Sequence, residues 1–251
     1  EEANKMKKFV ALLLAVLMVA SLCACGQKDT GSDLQTVTKG KLIMSTNAEF
    51  APYEYVADDG KGFQGTGYEG IDIEIAYALA QKLGLELVVD NMDFDAALSA
   101  VQTGKSDMVA AGVTVTPDRL NAMSFTDSYA NGVQVVIVKE GSDIKSIDDL
   151  QGKKIGTQRG TTGFLYCSDD FGDDNVIGFD DGATAVQNLK AGKIDCVVID
   201  NVPAQEYVKA NPGLTILDTE YANEDYAIGI AKDNTALQEA LNKALAELKA
   251  D

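Results

Sequence analysis

Two seven-residue segments of this chain are alike, and they predict the same strand in two halves of the fold. The segments Thr103-Gly104-Lys105-Ser106-Asp107-Met108-Val109 and Ala191-Gly192-Lys193-Ile194-Asp195-Cys196-Val197 each follow a helical pattern and each open an apolar run. Around both of them, strand-like runs alternate with helical runs, which is typical of a parallel sheet covered by helices. The sequence therefore predicts an α/β protein with two similar lobes, and a chance match between the segments is the alternative.

The spacing of apolar residues predicts the main elements. Ile71, Ile75, Leu79 and Leu83 recur at helical intervals, and Gly84 is expected to end that helix. Further helices are predicted over residues 94–103 and 235–249, and strands over residues 42–45, 85–89 and 108–111. In this arrangement Gly112 corresponds to Asp200, because each follows the carboxyl end of a buried strand, where open α/β sheets bind ligands.

The polypeptide is expected to cross twice between the two lobes. We predict a first lobe of residues 39–130 and 228–251, a second lobe of residues 133–225, and a hinge at residues 129–133 and 225–228. The first hinge segment is placed by Asn131-Gly132, a turn signal that precedes the strongly β-forming run Val133 to Val138. Two crossings between lobes would allow hinge motion.

The first 25 residues read as a leader rather than as part of the fold. Lys7 and Lys8 precede an apolar run, Phe9 to Leu22, that is shorter than the roughly 20 residues of a membrane span. The ending Leu22-Cys23-Ala24-Cys25 resembles the lipobox of bacterial lipoproteins, which implies cleavage before Cys25 and its lipidation. An ordinary cleaved signal is the alternative. Residues 1–5 precede Met6 and are taken as extraneous, and residues 26–38 are predicted to form a flexible tether.

Composition excludes several classes of function. The chain has 39 acidic and 21 basic residues, which argues against nucleic acid or anionic lipid as a partner. It has no histidine, so Ser-His-Asp and Cys-His nucleophiles and histidine-ligated metals are excluded, and we expect neither a metal nor a cofactor. Cys167 and Cys196 are read as small buried hydrophobic residues, with a disulfide between them as the alternative.

A carboxylate receptor is predicted where the strand before Gly112 ends. Thr116 can cap a helix that has Pro117 at its first position, so Arg119 lies in the first turn, where the helix dipole already favours an anion. Thr114 adds a hydroxyl group and Gly112 an N–H group. A surface arginine paired with Asp118 or Asp127 is the alternative.

Other segments offer complementary groups, each with a structural alternative. Gly160-Thr161-Thr162-Gly163 follows a strand and opens a helix, so its N–H groups suit an anion or simply form a turn. Asp200 ends an apolar run and can hold an ammonium group, cap the next helix, or do both. Phe50 and Tyr53 can line a ligand's apolar stem or belong to the core.

Taken together, the motifs resemble the polar amino-acid-binding proteins of bacterial ABC importers, extracellular solute-binding protein family 3. The resemblance covers nearly all of residues 40–250 and rests on Phe50-x-Pro-Tyr-Glu-Tyr, Tyr68-Glu-Gly-Ile-Asp-Ile-Glu, Gly112-x-Thr-x-Thr-x-x-Arg119, Phe125-Thr-Asp-x-Tyr129, Leu150-x-Gly-Lys-Lys-Ile-Gly, Gly160-Thr-Thr-Gly, and Gly192-Lys-Ile-Asp195 ahead of Asp200. It implies a type II periplasmic-binding-protein-like (Venus flytrap) fold with a mixed, mostly parallel sheet in each lobe.

The resemblance also implies a ligand site. The α-carboxylate of an amino acid would meet Arg119, Thr114 and the N–H groups of Gly112 and Thr162. The α-ammonium group would meet Asp200 and a carbonyl near Gly112. Phe50 would stack on the ligand's side chain, and Asn47 and Gln158 would contact its polar end, which favours a neutral or polar ligand. The full expected set is Asn47, Phe50, Tyr53, Ala111, Gly112, Thr114, Arg119, Gln158, Thr161, Thr162 and Asp200.

The function implied is that of a monomeric receptor, anchored through Cys25 to the outer face of a bacterial membrane, that delivers a polar amino acid to importer permease subunits. One alternative is a cyclohexadienyl or arogenate dehydratase-like enzyme of the same fold, with Glu49 or Glu54 as the acid. Another is the sensing domain of a receptor. Family members usually continue past the final helix, so the stop at Asp251 is read as an incomplete sequence.

Overall fold

The computed structural model describes residues 34–250. The signal sequence, Cys25 and residues 26–33 of the tether lie outside the described residues. The strands are β1 Lys41–Thr46, β2 Glu49–Phe50, β3 Glu54–Val56, β4 Tyr68–Glu69, β5 Glu86–Asn91, β6 Met108–Val109, β7 Met123–Phe125, β8 Ala130–Lys139, β9 Ile155–Gln158, β10 Val176–Phe179, β11 Cys196–Asp200, β12 Leu214–Ile216, β13 Ala222–Tyr226 and β14 Gly229–Ala231.

The α-helices of this part of the chain are α1 Ile71–Leu83, α2 Phe94–Gln102, α3 Pro117–Ala122, α4 Thr162–Phe171, α5 Gly182–Lys190, α6 Asn201–Ala210 and α7 Thr235–Ala250. Short 3-10 turns occupy Phe63–Gly65, Ile147–Leu150 and Asp173–Asn175. Gly84 ends α1 in the left-handed conformation (φ 69°), as the sequence predicts. Among residues 34–250, no helix has the length and apolar character that crossing a membrane requires.

The first lobe is built on a five-stranded mixed sheet in the order β5-β1-β6-β14-β7. Strand β1 is parallel to β5 and β6, whereas β14 is antiparallel to β6 and β7. Helices α1 and α7 cover one face, where Leu79 and Leu241 pack on Leu42 and Met44 of β1. Helix α2 covers the other face. The small antiparallel sheet β2-β3-β4 lies at the edge of this lobe.

The second lobe repeats the plan with the sheet β10-β9-β11-β8-β12, to which β13 adds by pairing with β8. The packing of strand β11 explains why its sequence is an unbroken apolar run. Val197 and Ile199 pack under α5 and α6, whereas Cys196 and Val198 pack under α4, so both faces of the strand are buried. Cys167 and Cys196 are both free and buried in that second layer, which agrees with their reading as small hydrophobic residues.

The two similar segments occupy equivalent positions in the two lobes. Gly104 and Gly192 are both left-handed (φ 71° and 72°) between a helix and the strand that follows it. Asp107 accepts the N–H of Ile43 at 2.7 Å and donates its own N–H to the Ile43 carbonyl at 2.9 Å. Asp195 forms the same reciprocal pair with Lys154, at 2.8 and 2.9 Å. The sequence match is therefore structural, because each aspartate holds the start of a neighbouring parallel strand.

Two antiparallel strands, β8 and β13, connect the lobes. Their register pairs Ala130 with Tyr226 and Gln134 with Ala222, and β13 continues into β14 of the first sheet. The turn expected at Asn131-Gly132 is wrong, since both residues lie inside β8. Gly132 is required there for a different reason: a Cβ atom on it would lie 2.4 Å from the Tyr226 ring and 2.8 Å from Asp200 Oδ2. The asparagine-glycine pair marks a place where two side chains approach the backbone closely, and not a reversal of the chain.

The end of the predicted tether is held on the first lobe. The Val37 N–H donates to Asp107 Oδ1 at 2.6 Å, so the same aspartate that aligns β1 also fixes the chain that leads into it.

Candidate ligand-binding site

A cavity of about 460 Å³ of space not filled by protein atoms lies between the lobes, at the carboxyl ends of the central strands. Both lobes line it, with side chains of Asn47, Phe50, Glu54, Phe94, Ala111, Thr114, Arg119, Gln134, Gln158, Thr161, Thr162, Val198, Ile199, Asp200 and Tyr226, together with Gly112.

Ten of the eleven residues that the sequence assigns to the ligand site line this cavity. The exception is Tyr53, which is only 3% exposed and is absent from the lining. Its ring stacks behind Phe50, with centroids 5.6 Å apart, and packs edge-on against Tyr226. Tyr53 therefore supports the aromatic wall of the cavity without forming its surface.

Arg119 is a buried cation without a carboxylate partner among the described residues. Thr116 caps α3 by accepting the Arg119 N–H at 3.2 Å, and Pro117 begins the helix, as the sequence predicts. Arg119 is 9% exposed, and its guanidinium group donates to the carbonyls of Thr114 at 2.9 Å and Gly160 at 3.2 Å. The surface pairing with Asp118 or Asp127 is not formed. Burial lowers the pKa of Arg119, yet a guanidinium group stays charged, and it has donors left for an anion.

The first turn of α4 faces Arg119 from the second lobe. Thr161 caps this helix by accepting the Phe164 N–H at 3.4 Å. The N–H of Thr162, at the first helical position, has no partner within the helix. The hydroxyl groups of Thr162 and Thr114 are 3.4 Å apart, which joins the two lobes at this point. Cation, helix terminus and hydroxyls together offer donors of the kind that a carboxylate accepts.

The N–H of Gly112 is engaged elsewhere. It donates to Asp72 Oδ2 at 2.9 Å, which does not agree with the expectation that this N–H meets a ligand carboxylate. Gly112 still lines the cavity, and its left-handed conformation (φ 53°) and lack of a side chain let the Phe50 ring approach closely. Sequence reasoning missed this role because Asp72 lies 40 residues away in the chain.

Asp200 is a buried carboxylate at the opposite lobe's strand end. It is 1% exposed and caps α6 by accepting the Val202 N–H at 3.0 Å. Its other oxygen accepts the Tyr226 hydroxyl at 2.9 Å and the Val133 N–H at 3.1 Å. Asp200 therefore both caps α6 and lines the cavity. Burial raises the pKa of Asp200, while these three hydrogen bonds favour its charged form.

Two amide side chains close one side of the cavity. Gln158 Nε2 donates to Asn47 Oδ1 at 2.8 Å, which links the lobes, and also to the Asp180 carbonyl at 3.1 Å. Asn47 Nδ2 donates to the Met92 carbonyl at 3.0 Å. Because carbonyl oxygens only accept, these contacts fix the orientation of both amides. Asn47 Oδ1 is thereby occupied, whereas Gln158 Oε1 accepts no hydrogen bond from the described residues.

Sequence reasoning did not assign six lining residues to the ligand site. They are Glu54, Phe94, Gln134, Val198, Ile199 and Tyr226. Gln134 and Tyr226 lie on the crossing strands, so their approach to the site depends on the pairing of β8 with β13. Gln134 Nε2 donates to the buried Glu224 at 2.9 Å, which places a further carboxylate behind the cavity wall. Phe94 lies 5.4 Å from the Arg119 guanidinium carbon and forms a cation–π contact with it.

Acidic residues near the site do not form a metal centre. Residues 34–250 contain no group of three or more cysteine, aspartate or glutamate side chains arranged to hold a metal ion. Of the two glutamates considered as a catalytic acid, Glu54 lines the cavity and Glu49 does not.

Comparisons with known protein sequences cover nearly the whole chain. The family model of the bacterial extracellular solute-binding proteins, family 3, matches residues 42–251. The arginine-binding extracellular protein ArtP of Bacillus subtilis is 34% identical, covering 97% of this chain and 93% of that protein. A probable histidine-binding protein of Neisseria gonorrhoeae is 33% identical, covering 97% of this chain and 91% of that protein.

Solved structures show the same fold. An ancestral arginine-binding protein bound to glutamine is 40% identical with a TM-score of 0.78, covering 85% of this chain and 94% of that one. The substrate-binding protein AbpA of Streptococcus pneumoniae, bound to L-arginine, is 34% identical with a TM-score of 0.78, covering 84% of this chain and 90% of that one.

The burial of Asp200 predicts a pH dependence of stability. Because the pKa of the Asp200 carboxyl group is raised, the folded protein keeps its proton in a pH range above 3.8 in which the unfolded chain loses it. The stability of the wild type therefore falls as the pH rises through this range. Asp200→Asn keeps a helix-capping side chain but does not titrate. The free energy of unfolding of the variant minus that of the wild type should therefore increase with pH.

Urea unfolding of the ligand-free protein over an acidic to neutral pH series measures this difference. Asp181→Asn is the matched control, because Asp181 caps α5 of the same lobe from a partly exposed position. A difference for Asp200→Asn that stays constant or decreases with pH would contradict the prediction.

Proposed function

Because this chain belongs to the bacterial extracellular solute-binding proteins of family 3, we propose that it is an extracytoplasmic receptor that binds a polar amino acid and delivers it to an ABC importer. The observation that carries the proposal is the placement of Arg119 and Asp200, two buried opposite charges, one from each lobe, in the wall of one cavity. The relatives named above are binding proteins, and we assign no catalytic step to this cavity.

A free amino acid is a zwitterion, and the cavity offers a partner for each of its charges. The α-carboxylate lies between the Arg119 guanidinium group and the first turn of α4, with Thr114 as a further donor. The α-ammonium group meets Asp200. The ligand set is the one expected from the sequence, with two changes: Tyr53 acts from behind Phe50, and the Gly112 N–H remains on Asp72.

Closure of the lobes follows from this division of charge. Arg119 belongs to the first lobe and Asp200 to the second, so only the closed arrangement brings both to one ligand. Contacts between Arg119 and Gly160, Thr114 and Thr162, and Asn47 and Gln158 join the lobes around the cavity. We assign the lobes to residues 39–130 with 228–251 and to residues 133–225, with hinge segments 129–133 and 225–228. The importer's permease subunits then recognise the closed form of a monomeric receptor.

Arg119→Ala should abolish amino-acid binding in the micromolar range. Micromolar affinity corresponds to about 8 kcal/mol, and removing one partner of a buried charge pair costs about 2–5 kcal/mol. Isothermal titration calorimetry with the amino acid that gives the largest thermal shift measures the loss. Arg159→Ala is the control, because Arg159 is exposed and bonds to Gly178 and Asp180 outside the cavity wall. Unchanged affinity in Arg119→Ala would exclude this site.

The locked amide pair indicates the kind of side chain that the receptor accepts. Gln158 Nε2 donates to Asn47 Oδ1 and to the Asp180 carbonyl, and Asn47 Nδ2 donates to the Met92 carbonyl. Gln158 Oε1 is left as an acceptor in a residue that lines the cavity. Acceptors of this kind suit a ligand whose side chain ends in N–H donors. The structures of relatives bound to glutamine and to arginine hold ligands of that kind.

Glutamine and arginine should therefore bind at least about tenfold more tightly than glutamate, because a carboxylate end would face acceptors without a donor. Calorimetry with L-glutamine and L-glutamate is the sharpest comparison, since the two differ in one group. Gln158→Leu should reduce the difference, whereas Gln151→Leu, at an exposed glutamine, should leave it unchanged. Equal binding of glutamate and glutamine by the wild type would refute the assignment of Asn47 and Gln158.

The location of the receptor follows from the family and from the leader. Family members are extracellular or periplasmic solute-binding proteins. The lipobox-like ending at Cys25 supports a lipid anchor to the outer face of the cell membrane, with residues 26–38 as the link to the first lobe. An anchor of this kind keeps the receptor beside its importer.

Cys25→Ser should move the protein from the membrane fraction to the soluble fraction and abolish its labelling by a fatty-acid analogue in bacteria. The reason is that the lipid is attached through the sulfur of the cysteine that follows the cleavage site. Cys23→Ser, two residues away in the same apolar context, is the matched control and should stay labelled. Retention of the label in Cys25→Ser would rule out the anchor.

A further inference from the structure

Glu54 and Asp72 form a pair of buried carboxyl groups that the proposed ligand contacts do not use. Each is 1% exposed, and Glu54 lines the cavity. Backbone contacts bring the two together: the Asp72 N–H donates to the Tyr53 carbonyl at 2.9 Å and the Ile71 N–H to the Pro52 carbonyl at 3.1 Å. The first turn of α1 is therefore held against the segment that carries Glu54.

One oxygen of Asp72 is occupied by two donors from different parts of the first lobe. Asp72 Oδ2 accepts the Gly112 N–H at 2.9 Å and the Tyr129 hydroxyl at 2.8 Å. Gly112 belongs to the cavity wall, and Tyr129 immediately precedes the crossing strand β8. A single carboxylate thus connects the ligand site with the start of the hinge.

Two further oxygens of the pair, Glu54 Oε2 and Asp72 Oδ1, are fully buried and have no N–H or O–H donor among the described residues. Unpaired buried oxygens of this kind are costly. Each carboxyl group shifts the pKa of the other, and a proton on one of them would let it donate to the other. One shared proton therefore satisfies both groups, and two ionised carboxylates would leave them in direct repulsion.

The surroundings assign the proton to Glu54. Asp72 lies in the first turn of a helix and accepts two hydrogen bonds, and both features favour its charged form. Burial and the neighbouring Asp72 raise the pKa of Glu54 well above its usual range, and burial raises that of Asp72 to about 6. The phenols that face the pair, Tyr53 and Tyr129, stay neutral because burial raises their pKa values.

Beyond these phenols, on the side of the second lobe, lies the carboxylate of Asp200. Tyr226 lies behind Tyr53 and Tyr129, and burial raises its pKa; its hydroxyl is bonded to Asp200. Within residues 34–250, no lysine or arginine side chain hydrogen bonds to Glu54 or Asp72 or lies within ion-pair distance of either. A proton, and not a basic side chain, therefore balances the second carboxyl group.

We propose that Glu54 and Asp72 share one proton, and that this acid pair positions Gly112 in the ligand site and Tyr129 at the start of the hinge strand. The part of the proposal that concerns ligand affinity rests on the proposed function. Glu54 and Asp72 are positioning residues, because they hold Gly112 in the cavity wall and Tyr129 at the start of the hinge strand. The Tyr129 N–H donates to the Tyr226 carbonyl at 2.9 Å, so the pair also supports the tyrosine that holds Asp200.

Two substitutions at Glu54 separate hydrogen bonding from ionisation. Glu54→Gln still donates to Asp72 but does not titrate, whereas Glu54→Leu leaves Asp72 without that donor. Glu54→Leu should weaken glutamine binding at least about tenfold, as expected when a buried charged acceptor loses its donor, and Glu54→Gln should recover most of the loss. As the pH rises and the shared proton dissociates, wild-type affinity should fall relative to that of Glu54→Gln.

Measurements on the ligand-free protein test the pair even if no amino acid binds. Infrared spectroscopy at neutral pH should show the carbonyl band of a protonated carboxylic acid in the wild type and not in Glu54→Gln. The folded wild type keeps a proton above pH 4.5 that the unfolded chain loses, so its stability should fall relative to Glu54→Gln as the pH rises. Glu69→Gln, at a partly buried glutamate bonded to Tyr55 in the same small sheet, is the control and should retain the band.

The outcomes are distinct. If the wild type binds no amino acid but shows the protonated band and the pH trend, the proposed function fails and the acid pair stands. If the band is absent, or if wild type and Glu54→Gln share one pH profile of stability, the acid pair is refuted. If Glu54→Leu binds as the wild type does, the positioning role is refuted. Should Glu54→Gln fail to fold, Asp72→Asn replaces it, since asparagine still accepts from Gly112 and Tyr129 and donates to an ionised Glu54.

Discussion

The burial of two opposite charges that are not bonded to each other is the constraint on which this structure depends. Arg119 donates to backbone carbonyls, and Asp200 accepts from a hydroxyl and two N–H groups, so neither neutralises the other. Taking an ion out of water is expensive unless another charge or strong hydrogen bonds replace the solvent. In the proposed function, an amino-acid zwitterion supplies both missing charges at once. The division of the two charges between the lobes would then make ligand binding and lobe closure one event.

The fold places these charges by repeating one device. In each lobe an aspartate after a left-handed glycine, Asp107 or Asp195, exchanges hydrogen bonds with the start of the neighbouring parallel strand. This contact sets the register of the central strands, and their carboxyl ends consequently face the same cleft from two sides. The crossing strands β8 and β13 then contribute Tyr226, which holds Asp200 from the opposite direction. The precision of the site therefore derives from strand pairing, since few of its side chains lie on free loops.

The parts of this structure that could be predicted from the sequence are those with local causes. Thr116 and Pro117 encode the helix start that orients Arg119, and the apolar run before Asp200 encodes a strand buried on both faces. Long-range contacts were missed for a physical reason. Asn131-Gly132 resembles a turn, but the glycine is there because Tyr226 and Asp200 pack against its backbone. A contact between residues so far apart in the chain leaves no periodic signal.

Charge balance connects the acid pair with the kind of ligand that the cavity suits. Among the lining residues, Arg119 carries a positive charge, Asp200 a negative one, and Glu54 a carboxyl group. With a proton on Glu54 the lining is neutral overall, which matches a zwitterion with an uncharged side chain. With Glu54 ionised, the lining carries one negative charge, which favours a cationic side chain. The proton shared by Glu54 and Asp72 thus sets the net charge of the cavity lining. The same proton stabilises the carboxyl pair that positions Tyr129 at the start of the hinge strand, so the hinge and the charge of the preferred ligand depend on one group.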